Sequence, residues 1–88
     1  MIARHVTVHG RVQGVFFRAE TQRTAAGLNI GGWVRNLPDG TVEAQVEGTA
    51  ENVDTMLKWL EHGPERASVT HLDIAEQTPS GATSFQVL

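Results

Sequence analysis

The chain has 88 residues, a net charge of −3 and no cysteine. That length leaves room for one domain, residues 1–88, and the charge argues against nucleic acid as a partner. A disulfide scaffold and a thiolate metal site are excluded, a reducing cytoplasm is the natural compartment, and neither a bilayer-spanning run of ~20 apolar residues nor a signal peptide is expected.

Ile2 to His9 alternates as a strand, with Val6 and Val8 on one face and His5, Thr7 and His9 on the other. From Phe17 to Leu28 the spacing turns helical. Phe17, Thr21, Ala25 and Leu28 form one stripe, and Gly27 and Asn29 are stop signals. Gly32 to Leu37 predicts a second strand. Leu37-Pro38-Asp39-Gly40 is a turn, because proline presets φ and glycine accepts a left-handed conformation. Thr41 to Gly48 is a third strand, with Val42, Ala44 and Val46 facing in and Glu43, Gln45 and Glu47 facing out. The short turn makes strands two and three a hairpin.

Thr49 is an N-cap and Glu51 suits the first helical turn. Val53, Met56, Leu57 and Leu60 then fall on one stripe, and Gly63-Pro64 ends the helix. Val69 to Ala75 is a fourth strand whose alternation is uneven, with Val69 out of phase with Leu72 and Ile74. Ser84 to Leu88 is a short last strand. The order β-α-β-β-α-β plus this strand is the pattern of an α+β ferredoxin-like sandwich. Its antiparallel sheet has the order 4-1-3-2, with two helices on one face.

Residues 10–18 read Gly-Arg-Val-Gln-Gly-Val-Phe-Phe-Arg and join the first strand to the first helix. Two glycines frame a turn there, and Arg18 sits where the helix starts. Backbone N–H groups, a helix N-terminus and a guanidinium aimed at one spot are chemistry for holding a phosphate. Charge is distributed to match. Residues 1–38 carry five arginines against one acid, and residues 39–88 carry two basic residues against nine acids. A local cationic field in an acidic protein suits a small anion better than a polyanion. Strands one and two are parallel neighbours of strand three, so their C-terminal ends share one sheet edge, on the order of 10 Å apart. Arg18 and Asn36 therefore face one small pocket.

Gly10-x-Val12-Gln13-Gly14-Val15-x-Phe17-Arg18 resembles the first signature of the acylphosphatases. Gly32-Trp33-Val34-Arg35-Asn36, then Gly40-x-Val42 and Gly48, resembles the second at matching spacing. The likeness covers nearly the whole chain. It implies hydrolysis of the carboxyl–phosphate anhydride of acyl phosphates, without cofactor or metal. By the resemblance, Arg18 and the N–H groups of Val12, Gln13, Gly14 and Val15 bind the phosphoryl group, and Asn36 holds the attacking water. The substrate's own phosphate oxygens accept the proton, which fits a reaction governed by positioning and charge. The chain departs from the family where Val87-Leu88 replace a common Arg-Tyr ending. That bears on the packing of the last strand, not on the chemistry.

An arginine at a helix start opposes the dipole unless an anion is bound, which favours a ligand at Arg18. Asn36 has a turn preference of its own, and the motif decides for catalysis. His5 and His9 lie about 13 Å apart on one strand face, too far to share an ion. They are expected opposite Glu43 and Glu47, with His62 and His71 isolated at the surface. Glu43, Glu47 and Glu51 read as a solvated acidic face. Trp33 and Trp59 read as core or rim packing, Trp59 partly exposed. A module that binds phosphate without turnover is the main rival. RNA binding is disfavoured, because the open face of strands one and three lacks the stacking aromatics it needs. The expected partner is a small acyl phosphate, with the chain freestanding and monomeric.

Overall fold

A computed structural model describes residues 1–88. It contains strands β1 (Ile2–Arg11), β2 (Gly31–Asn36), β3 (Val42–Gly48), β4 (Ser68–Gln77) and β5 (Phe85–Val87), and helices α1 (Phe17–Gly27) and α2 (Ala50–His62). β1 pairs antiparallel with β3 and β4, and β3 antiparallel with β2. β5 adds to the outer edge of β2 in parallel, so the sheet order is β4-β1-β3-β2-β5. This is the expected 4-1-3-2 sheet with one more strand beside β2. The Val87-Leu88 ending does not prevent that pairing, since the Leu88 N–H still donates to the Val34 carbonyl at 2.9 Å.

The core forms where strand and helix periods meet. Val6 and Val8 of β1, Val34 of β2, and Val42, Ala44 and Val46 of β3 are fully buried on the helix-facing side. Phe17 and Ala25 of α1, and Val53, Met56 and Leu60 of α2, close over them as one cluster. Each large side chain buried this way contributes about 1.5–3 kcal/mol. Thr49 caps α2 as expected, its hydroxyl accepting from the Asn52 N–H at 3.1 Å. Helix α1 stops when Asn29 turns left-handed at φ 54° and the Ile30 N–H bonds back to the Ala25 carbonyl at 2.9 Å.

The uneven alternation of the fourth strand has a cause. The β1–β4 register shifts between His9, which faces His71, and Gly10, which faces Val69. One extra residue, Thr70, sits in β4 there, the mark of a β-bulge. Val69 and Leu72 are three positions apart and would point to opposite faces of a regular strand, yet both pack against the core. His71 faces His9 as the last pair of the regular register, directly before the bulge. Gly10 permits it: a Cβ at that position would stand 2.1 Å from the Ser68 carbonyl oxygen, and its φ of 124° suits only glycine.

Three surface expectations are corrected. Glu47 is not part of a solvated face. It is 2% exposed. Its carboxylate accepts from the N–H groups of Ser80, Gly81 and Ala82 at 2.8, 2.7 and 3.0 Å. The loop after β4 folds back over the end of β3, which alternation within β3 could not reveal. His9 pairs with Asp73 of β4 at 2.7 Å, not with a glutamate of β3. His71 is not isolated, because its ring stacks on His9 with centroids 4.0 Å apart. His5 does meet Glu43, at 2.8 Å. Trp33 lies on the open face of the sheet with the Arg35 guanidinium 5.2 Å above its ring, a rim residue as expected. Trp59 leans on Phe17 at 5.9 Å.

Candidate active site

The β1–α1 connection is held from beneath and from the side. Val12 and Val15 are buried and anchor it in the core. The Gln13 carboxamide donates to the carbonyls of Leu37 and Thr41 at 2.8 and 2.9 Å, tying the loop to the β2–β3 turn. That turn is itself braced by Asp39, whose carboxylate accepts from the Thr41 hydroxyl and N–H at 2.6 and 3.0 Å. Those two bonds, the hydroxyl's first, hold the Asp39 carboxyl below its ordinary range.

Between these anchors the backbone is left with its donors free. None of the turn, loop and cap hydrogen bonds of the main chain uses an N–H of residues 12–16. The chain turns left-handed at Gly14, φ 73°, and again at Phe16, φ 61°. A bulky residue at positive φ is strained, and such strain gathers where a site needs a particular backbone shape. Phe16 is also the N-cap of α1 and offers no side-chain oxygen to the helix. The first turn of α1 therefore presents uncapped N–H groups and the positive end of its dipole.

Arg18 lies in that first turn. No ion pair of the structure uses it. Its Nη1 donates to the Leu88 carbonyl oxygen at 2.8 Å, which leaves the rest of the guanidinium fork for another acceptor. Asn36 closes β2, exposed and without a side-chain hydrogen bond. Arg18 and Asn36 line one cleft of about 370 Å³ together with Val12, Gly14, Phe17 and Val87. Both side chains thus line one cleft at the sheet edge that the topology predicts. Gln13 and Val15 do not line that cleft; their side chains serve as anchors.

Sequence reasoning missed the part played by the end of the chain. Gln22 of α1 donates to the Phe85 carbonyl at 3.0 Å, and Arg18 to that of Leu88. Both acceptors are main-chain atoms, which no side-chain motif marks. The Glu47 clamp was missed as well, although it holds the loop that leads into β5. Ser80 through its N–H, then Gly81, Ser80 Oγ and Ala82, hold the Glu47 carboxyl below its usual range, against the opposing effect of burial.

The family model of the acylphosphatases matches residues 4–87. Over 85 residues the chain is 54% identical to an acylphosphatase of Methylococcus capsulatus, covering 96% of this chain and 92% of that protein. It superposes on the crystal structure of acylphosphatase from Bacillus subtilis with a TM-score of 0.96 at 31% identity, covering 100% of this chain and 99% of that one. An acylphosphatase from Coxiella burnetii matches with a TM-score of 0.94 at 37% identity, covering 99% of this chain and 92% of that one. No helix is long and apolar enough to cross a membrane. With both motifs at one cleft and the match running from the first strand to the last, the chain belongs to the acylphosphatase family of enzymes.

Proposed function

We propose that the cleft hydrolyses acyl phosphates, with the phosphoryl group seated on the N–H groups of Val12 to Phe16 and gripped by Arg18. The observation that carries this reading is the run of unpartnered N–H groups beside a guanidinium that spends only one Nη1 bond, on Leu88, and a free carboxamide. Preorganised donors of that kind stabilise charge spread over phosphoryl oxygens without reorganising. Arg18 supplies a planar fork suited to two of those oxygens. The Asn36 carboxamide accepts a hydrogen bond from a water and aligns it with phosphorus, opposite the leaving carboxylate.

The water oxygen forms a bond to phosphorus as the bridging P–O bond breaks. The bond pair leaves on the carboxylate, and the water's proton passes to a phosphoryl oxygen. Products are a carboxylate and inorganic phosphate. No protein base is required, because the carboxylate is a good leaving group and the phosphoryl oxygens accept the proton.

The test is turnover of acetyl phosphate beside competitive inhibition by inorganic phosphate. Arg18→Ala is expected to lose both, and Arg18→Lys to recover little, since a point charge cannot reproduce the fork. Asn36→Ala is expected to keep phosphate affinity while kcat falls by roughly 10²–10³, the scale for one lost preorganised group. Thr24→Ala, on the same helix outside both motifs, stays active. A folded Arg18→Ala protein that still turns over acetyl phosphate overturns the assignment. Near-normal kcat in Asn36→Ala removes that residue from the mechanism.

A further inference from the structure

We propose that His9, His71 and Asp73 form a binding site for one divalent transition-metal ion of the zinc type, on the open face of the sheet. A ligand nitrogen of each histidine and a carboxylate oxygen of Asp73 all lie within 4.8 Å of one another. His9 Nε2 is 2.7 Å from Asp73 Oδ2, and His71 Nε2 is 3.9 Å from the same oxygen. The two rings are nearly parallel, at 10°. An ion at about 2.0–2.2 Å from each donor requires the two imidazoles to rotate out of this stack until their in-plane lone pairs converge.

The sheet builds this arrangement. His9 and His71 are direct cross-strand partners, and Asp73 is two residues further along β4 on the same face. The bulge between His9 and Gly10 comes immediately after that pair. The regular antiparallel register that runs from Ala3–Gln77 to His9–His71 puts His71 and Asp73 on the same face as His9. His9 is the fixed member, its side chain 30% exposed, while His71 and Asp73 are more open. Asp39, on the β2–β3 turn, is near enough for its charge to feel His9, so a second carboxylate adds to the negative potential there.

The donor set selects the ion. Magnesium and calcium take oxygen ligands and gain little from two imidazoles. Two nitrogens and one carboxylate suit zinc, nickel or copper. Three protein ligands leave a position for water, as in open zinc sites. The ion would join the last regular residue of β1 to the edge strand β4, directly before the glycine that opens the phosphate loop. No step of the proposed hydrolysis runs through it, and the two readings stand or fall separately.

The experiment is calorimetric titration of the full chain, stripped with EDTA and exchanged into buffer, with zinc chloride at about pH 7.5, where imidazole competes well for metal. The expected result is one ion per chain with micromolar affinity. His71→Ala and Asp73→Asn, both exposed and folded by circular dichroism, should each weaken binding at least tenfold, the scale for disturbing a ligand sphere. His62→Ala should bind as the parent does. Zinc should raise the thermal midpoint of the parent and not of His71→Ala, because only the folded parent offers the site. Absence of a one-to-one isotherm at millimolar zinc overturns the proposal and leaves a histidine–aspartate pair with a stacked neighbour. Binding that survives both substitutions overturns it equally.

Discussion

Replacing Glu47 by glutamine tests how the loop after β4 is held, and the arrangement predicts that the near-isosteric change is severe. Oε1 accepts from the Ser80 N–H and hydroxyl at 2.8 and 3.1 Å, and Oε2 from the N–H groups of Gly81 and Ala82 at 2.7 and 3.0 Å. A carboxamide keeps one oxygen and turns an NH₂ group toward two donors. Glutamine therefore cannot satisfy the clamp in either orientation. Hydrogen bonds to a charged acceptor contribute about 1.5–3 kcal/mol each, but Ser80 and Gly81 are exposed and water replaces part of what is lost, so the expected cost is about 2–4 kcal/mol. For a domain of this size that lowers the thermal midpoint by on the order of 10–20 °C.

The pH dependence follows from the same contacts. The folded carboxyl lies below its ordinary value of 4.5, chiefly through the Ser80 N–H. The charge therefore stabilises the fold fully above about 4.5, and that contribution fades as pH falls through the lower folded value. Urea unfolding of the parent and Glu47→Gln at pH 7, repeated down to about pH 3, measures both effects. The gap between them should be widest at neutral pH and narrow in acid. A gap under about 0.5 kcal/mol at pH 7, or one that widens in acid, refutes the reasoning.

Two further substitutions probe the frame of the β1–α1 loop. Gln13→Ala removes the two bonds to Leu37 and Thr41 and should cost about 1–2 kcal/mol of stability. It should also weaken competitive inhibition by inorganic phosphate; unchanged phosphate affinity would show that the brace does not position the loop. Gly10→Ala places a Cβ 2.1 Å from the Ser68 carbonyl at a φ of 124°, and should cost about 2–4 kcal/mol in urea unfolding as β4 is pushed from β1. Parent-like stability there would mean that the bulge tolerates a side chain.

Elements with a local cause were legible in the chain itself. The stripe Val53, Met56, Leu57 and Leu60, the Thr49 cap, the alternation of Val42, Ala44 and Val46, and the proline–glycine turn are each written within a few neighbouring residues, and the fold adopts them. The cleft was legible too, because Gly14 and Arg18 fall within one short run and the topology brings Asn36 to the same sheet edge. Contacts set by register and by returning loops were not. Glu47 occupies an outward position of β3, and only the loop at residues 80–82, more than thirty positions away, turns that position inward. His71 faces His9 through the β1–β4 register, which joins segments more than sixty positions apart and is marked by no local pattern. Arg18 finds a main-chain oxygen of Leu88, so no side chain announces it. Periodicity reports which way a residue points relative to its own strand. What it points at depends on which other segment arrives there, and that is decided only when the whole chain has packed.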